Sequence, residues 1–308
     1  MKAPVGMTSG VAKPPAVSRR LGLAERGVDS LLLLLVPGVG AVLLLFFVPF
    51  LYGLLLSFSP QLPGGILANY QAFLADRYLY DTVGTTLRIA LPVSVFNVVA
   101  AVAVAYQVRN EFRGKRLLTT VLVIPITLGT VLIAEGLLTY LGPRGWLNRT
   151  LEAVGLIHEP IRLVHNYWGV VFALVISGFP FAFLLILSYI SGIDPNLEKA
   201  AATLGAGPFE RFRRVILPLL APGIATAFCL SFVLDFSVFP SAIMLGEPSR
   251  ATRVISIAAY HAAFEQFDYS MASAIAMIMA AVELVVIAAV LFLRGRLYRG
   301  PAAGGGKG

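Results

Sequence analysis

Six stretches of this chain are each long and apolar enough to cross a lipid bilayer, and that pattern restricts the fold more than any other feature. They run Leu31 to Leu56, Ile89 to Tyr106, Leu117 to Leu141, Tyr167 to Ile190, Leu219 to Leu245 and Met271 to Leu293. Hydrocarbon about 30 Å thick is spanned by roughly 20 helical residues. Within it every backbone amide must be satisfied inside its own helix or a closed barrel. Unbroken apolar runs of this length read as helices, so the expected fold class is all-α and integral to the membrane. With 58% apolar and 13% charged residues, the composition is that of a membrane protein.

Orientation follows from the lysines and arginines. Five precede the first span (Lys2, Lys13, Arg19, Arg20, Arg26), and four lie between the second and third (Arg109, Arg113, Lys115, Arg116). Four more lie between the fourth and fifth (Lys199, Arg211, Arg213, Arg214) and four at the tail (Arg294, Arg296, Arg299, Lys307), so one side holds 17 of 24. Both termini are therefore expected in the cytoplasm. The net charge of +8 is then accounted for by topology and contact with membrane lipid, and no nucleic-acid partner is needed. The first apolar run is too long for a signal-peptide core. Residues 1–28 read as a flexible cytoplasmic extension, 29–298 as the membrane domain and 299–308 as a flexible tail. Cys229, the one cysteine, excludes a disulfide within the chain. His158, His165 and His261 lack metal-ligand spacing, so no metal site is expected.

One polar stretch breaks this pattern: LEKAAATLGAGPFERFRRVILP, Leu197 to Pro218. Asp194 is placed to cap a helix that Pro195 begins, and Gly205 to end it in a left-handed conformation. Pro208 then starts a second short helix carrying Arg211, Arg213 and Arg214, with Pro218 marking re-entry towards the membrane. The chain has no phosphate-binding loop, because GGGKG at its end lacks both the required spacing and a preceding strand.

This stretch resembles the "EAA" loop of binding-protein-dependent ABC importer permeases of type I, Glu-Ala-Ala, three residues, Gly, nine residues, Ile-x-Leu-Pro. Ala200, Ala201, Gly205, Leu217 and Pro218 fall at the expected spacing, while Lys199 stands at the glutamate position, with Glu198 one place earlier, and Val215 at the isoleucine position. Two outer loops are also similar: NYQAFLADRYLYDTVGTTL from Asn69 and GPRGWLNRTLEAVGLIHEPIRLV from Gly142. The resemblance implies a six-helix permease that is not itself an enzyme. It implies that residues 193–218 form the coupling loop, with Glu198, Lys199, Ala200, Ala201, Gly205, Arg211, Arg213 and Pro218 engaging the ATPase. The implied partners are an ATPase dimer binding ATP and Mg, a second permease, identical or related, and an extracytoplasmic solute-binding protein. This chain would hold no cofactor, and its location would be the inner membrane.

Charged residues inside spans are costly unless paired or facing water. Glu135, Asp235 and Glu283 stand in the third, fifth and sixth spans, and Arg88 at the mouth of the second is the nearest cation in depth. An acidic path suits a cationic solute, and the alternative is that the acids pair structurally with Arg88, serines or a partner. Phe179, Phe181, Phe183, Phe236 and Phe239 are candidates for cation-π contact with alkylammonium groups. Pro92, Pro125, Pro180 and Pro240 are read as sites of helix bending. The Leu204-Gly205-Ala206 form resembles the branch handling polyamines, ferric iron, thiamine, phosphonates or sulfate, and the segment from Asp235 to Gly246 is most similar to the spermidine/putrescine permeases within it, which implies a polyamine. Ferric iron, thiamine, phosphonate and sugar remain alternatives. A different class, an ATP-independent secondary transporter or channel, would use Glu135, Asp235 and Glu283 as ion sites. No internal repeat supports it.

Overall fold

The computed structural model describes residues 30–61, 63–109 and 114–297. The extension expected over 1–28 and the tail expected over 299–308 lie outside them, as does Arg113. Among the described residues every regular element is helical. Six helices among the described residues are long and apolar enough to cross a membrane: Leu35–Ser57, Arg77–Val108, Lys115–Ala153, Tyr167–Ser191, Pro208–Phe236 and Tyr269–Arg296.

The described residues up to Leu55 and those from Leu56 onward form two compact units. The first contains α1 (Ser30–Val42), a π turn at Leu43–Phe47 and the start of α2 (Val48–Ser57). Pro37 lies inside α1 and removes one rung of its hydrogen-bond ladder. The second unit contains α3 (Ala68–Ala75), α4 (Arg77–Val108), α5 (Lys115–Leu141), α6 (Trp146–Ala153), α7 (Tyr167–Ser191), α8 (Pro195–Thr203) and α9 (Pro208–Arg211). After a π turn at Phe212–Ile216 follow α10 (Leu217–Phe236), α11 (Pro240–Leu245), α12 (Ile255–Tyr260), a π turn at His261–Glu265 and α13 (Tyr269–Leu297).

The centre of this unit is α4, which packs on both α7 and α10. Its buried positions, including Ala90, Ser94, Asn97, Ala101 and Ala105, recur every three or four residues and are mostly small. Lipid is as apolar as leucine, so helices in a membrane associate through close packing, and small residues permit it. Gly223 of α10 shows the same device: a Cβ there would lie 2.5 Å from the ring of Tyr189 on α7. The third span is bent. Pro125 is followed by Gly129 at φ 74, ψ 163, a conformation open almost only to glycine.

The structure corrects three boundaries. The second span begins at Arg77 rather than Ile89, because Asp76 caps it by accepting from the Tyr78 amide at 2.8 Å. Its added turns bury Thr82 and Thr86, and Thr86 Oγ accepts from the Ile255 amide at 2.9 Å. The fifth span begins at Pro208, so Pro218 sits within a continuous helix rather than at a point of re-entry. That span also ends at Phe236 instead of Leu245. Pro240 disfavours the α region at Phe239, which takes φ −132, ψ −60 as the cap of α11, so Pro240 opens a helix and bends none.

Candidate functional site

The loop from Asp194 to Pro208 has the helix, turn and helix start expected of it, and its second helix runs on into the fifth span. Asp194 Oδ1 accepts from the Asn196 amide at 2.9 Å, capping α8 with Pro195 at its first position. At the other end the Gly205 amide donates to Ala202 O at 3.0 Å and the Ala206 amide to Ala201 O at 3.1 Å. Those two bonds close a Schellman turn, which requires the left-handed backbone that Gly205 supplies at φ 86. Pro208 then opens α9 at its first position. The resulting tip is exposed and apolar, with Leu204 89% and Phe209 74% accessible.

Glu198 faces the other way. It is buried, with Tyr106 Oη donating to its Oε1 at 3.0 Å, Arg109 in an ion pair with Oε2 and Arg211 Nη1 at 3.8 Å from Oε1. Tyr106 and Arg109 belong to the end of α4, so one carboxylate fastens the loop to the central helix. The Tyr106 ring also packs on Phe212 at 4.8 Å and carries the Arg109 guanidinium at 4.5 Å. Lys199, Ala200 and Arg213 are exposed, Ala201 and Arg211 half-buried, and Pro218 exposed on the first turn of α10. Tyr106 and Phe212 were not singled out from sequence, and Arg109 was read only as a topology charge. Their one local signal is an aromatic and a cation three residues apart, at the spacing of neighbours on one helix face.

The intramembrane acids do not form one group. Asp235 is 2% exposed, and Ser94 Oγ donates to its Oδ2 at 2.7 Å. Asn97, fully buried, donates through Nδ2 to Leu174 O at 3.4 Å, while its Oδ1 finds no partner. Both side chains close on Gly178 of α7: a Cβ there would sit 2.6 Å from Asn97 Nδ2 and 3.4 Å from Asp235 Oδ1. Glu283 on α13 is half-buried and accepts from Ser237 Oγ at 3.0 Å. Glu135 lies on the exposed side of α5. Among the described residues no ion pair joins Arg88 to any of them; its side chain is exposed and its carbonyl accepts from Tyr167 Oη at 2.9 Å. Asp235 thus takes its compensation from Ser94 and not from Arg88. Phe183 and Phe236 are fully buried in helix packing, and Phe239 packs on Tyr260 with ring centroids 5.1 Å apart.

Residues 97–299, which include the loop and its Glu198 anchor, match the family model described as binding-protein-dependent transport system inner membrane component. The chain belongs to that family. It is the permease component of an ABC transporter, a multi-pass inner-membrane protein and not the catalytic subunit. A probable sulfate transport system permease protein cysT from Prototheca wickerhamii is 30% identical over 66% of this chain and 78% of its own length. The sulfate permease CysT of Salmonella typhimurium is 27% identical over 75% of this chain and 82% of its own. The spermidine/putrescine permease PotB of Haemophilus influenzae is 36% identical, but over 42% of this chain and 46% of its own. Among solved structures, a chain of a bacterial alginate ABC transporter in complex with its alginate pentasaccharide-bound periplasmic protein superposes with a TM-score of 0.76 at 20% identity. The match covers 90% of this chain and 98% of that one.

Proposed function

We propose that this permease forms half of the membrane pore of an ATP-driven importer and that its solute is a small oxyanion of the sulfate kind. A second permease completes the pore, an ATPase pair holding ATP and Mg docks on the loop side, and a solute-binding protein delivers from the other. The observation that carries the coupling role is the rigid loop: an exposed apolar tip at Leu204 and Phe209, held through Glu198 to α4 at its base. A capped helix pair passes a push on without bending at its ends. Closure of the ATPases would press the tip, and the Glu198 anchor would turn that displacement into rocking of α4 and the helices packed on it. The excess of lysine and arginine on the loop side supports a cytoplasmic position for the loop and both termini.

Two sulfate permeases matching over 66% and 75% of the chain support the oxyanion. Two of the three acids that suggested a cation are engaged by serines, Asp235 by Ser94 and Glu283 by Ser237. A polyamine is the second reading, favoured by the shorter and more identical PotB match. The test is uptake into vesicles holding the permease with its co-purifying ATPase and binding protein. ATP-dependent uptake of sulfate, unaffected by excess spermidine, is expected. Spermidine uptake that sulfate leaves untouched would overturn the oxyanion. Uptake independent of ATP would overturn the importer.

A further inference from the structure

We propose that the flank of the bundle holds one anionic phospholipid, its acyl chain in a groove between α4, α10 and α13 and its headgroup at Arg294. Two cavities, each of about 630 Å³, share Val98, Val99, Leu217 and Ile224 as walls and so form one continuous groove. Along α4 it runs from Gln107 to Val95, and on the facing side Pro208, Phe209 and Phe212 line its loop end and α10 from Leu217 to Phe228 the rest. At 1.5 Å per residue the α4 wall is about 18 Å long. Half of a bilayer's hydrocarbon is about 15 Å thick. The groove therefore has the reach of one leaflet's acyl chain, starting from the end that carries the 194–218 loop.

Charge selects the occupant. The polar lining groups, Tyr106, Gln107 and Arg294, all stand at the loop end, and the far end around Val95, Ala225 and Phe228 is apolar. Among the described residues no carboxylate lies within ion-pair distance of Arg294. A guanidinium at the hydrocarbon boundary is well served by a phosphate, whose oxygens accept its fork of N–H groups. A packed transmembrane helix would match the apolar walls but would leave Arg294 without an anion.

The experiment is native mass spectrometry of the full chain released from vesicles of equimolar phosphatidylglycerol and phosphatidylcholine, reading bound lipid and oligomeric state together. Retention of one phosphatidylglycerol per permease is expected. Arg294→Gln should weaken it about fivefold, the effect of one cation near an anionic headgroup. Ala221→Phe projects from a part-exposed position into the groove and should lower retention of both lipids, with the melting temperature of each variant showing that it is folded. Equal retention of the two lipids by the native chain, or retention unchanged in both variants, would overturn the proposal. So would a native chain that carries no lipid and loses a bound protein partner in Ala221→Phe, which would assign the groove to a helix.

Discussion

Substituting glutamine for Glu198 isolates the charge that fastens the loop to α4. The Glu198 and Arg109 side chains are 11% and 16% exposed, so water reaches the pair only partly. Removing one partner of a fully buried pair costs about 3–5 kcal/mol. Glutamine keeps an acceptor for Tyr106 Oη and Arg211 is 24% exposed, so about 2 kcal/mol is the reasonable figure here. Because α8 has nine residues and its own caps, the loss falls on local opening of the loop rather than on the whole bundle. In equilibrium terms about 2 kcal/mol is about a 30-fold rise in the open population.

Amide hydrogen exchange across residues 195–206 of the full-length permease reads that opening directly. Exchange in Glu198→Gln should rise by about that factor while α7 and α10 keep their protection. Arg109→Met should do the same, and the double variant should fall short of the sum by at least about 1 kcal/mol, since either change alone breaks the same pair. Strict additivity, or unchanged exchange in Glu198→Gln, would show that the carboxylate does not anchor the loop and would remove the lever from the coupling scheme.

Three further outcomes are expected. Gly205→Val places a β-branched residue at φ 86 with open space around its Cβ, so the penalty is torsional, about 1–2 kcal/mol; ATPase co-purification should fall, while Gly205→Asn retains it. Gly129→Ala strains a backbone at φ 74, ψ 163 by about 1–3 kcal/mol and should lower the melting temperature of the permease or straighten α5, measured by spin-label distances between its ends; neither change would contradict the kink. Asp235→Asn keeps an acceptor for Ser94 and removes a buried charge that has no cationic partner among the described residues. Its melting temperature should hold or rise, and a clear fall would contradict this account of the Asp235 site.

The shape of the loop from Asp194 to Pro208 was legible in the sequence because its determinants are local. Asp194, Pro195, Gly205 and Pro208 each fix one backbone event within a residue or two, and the structure shows each of them. The spans were legible for a similar reason, since hydropathy sums over neighbours. Their ends were not. The first turns of α4 are polar, and Thr82 and Thr86 are buried because carbonyls of α4 itself accept from both hydroxyls and the Ile255 amide of α12 donates to that of Thr86. The break after Phe236 hid inside an apolar run because Pro240, three residues beyond Ser237, was read as a kink rather than as a first position.

What separates the loop's shape from its anchor is distance along the chain. Glu198 looked like a misplaced member of a charge motif, yet it meets Tyr106, 92 positions earlier, and no periodicity in either segment announces that contact. The same gap weakens the support for a cationic solute. Counting acids within spans treats depth as if it were exposure, whereas a helix at one depth presents every azimuth. Asp235 turns inward to Ser94 and Glu283 to Ser237, leaving Glu135 as the acid on an exposed side. Three carboxylates at similar depth are then one free carboxylate and two engaged ones, too few to require a cation. Solute chemistry in this permease is therefore better sought at the binding protein that delivers it, and the membrane helices are better read for how they move.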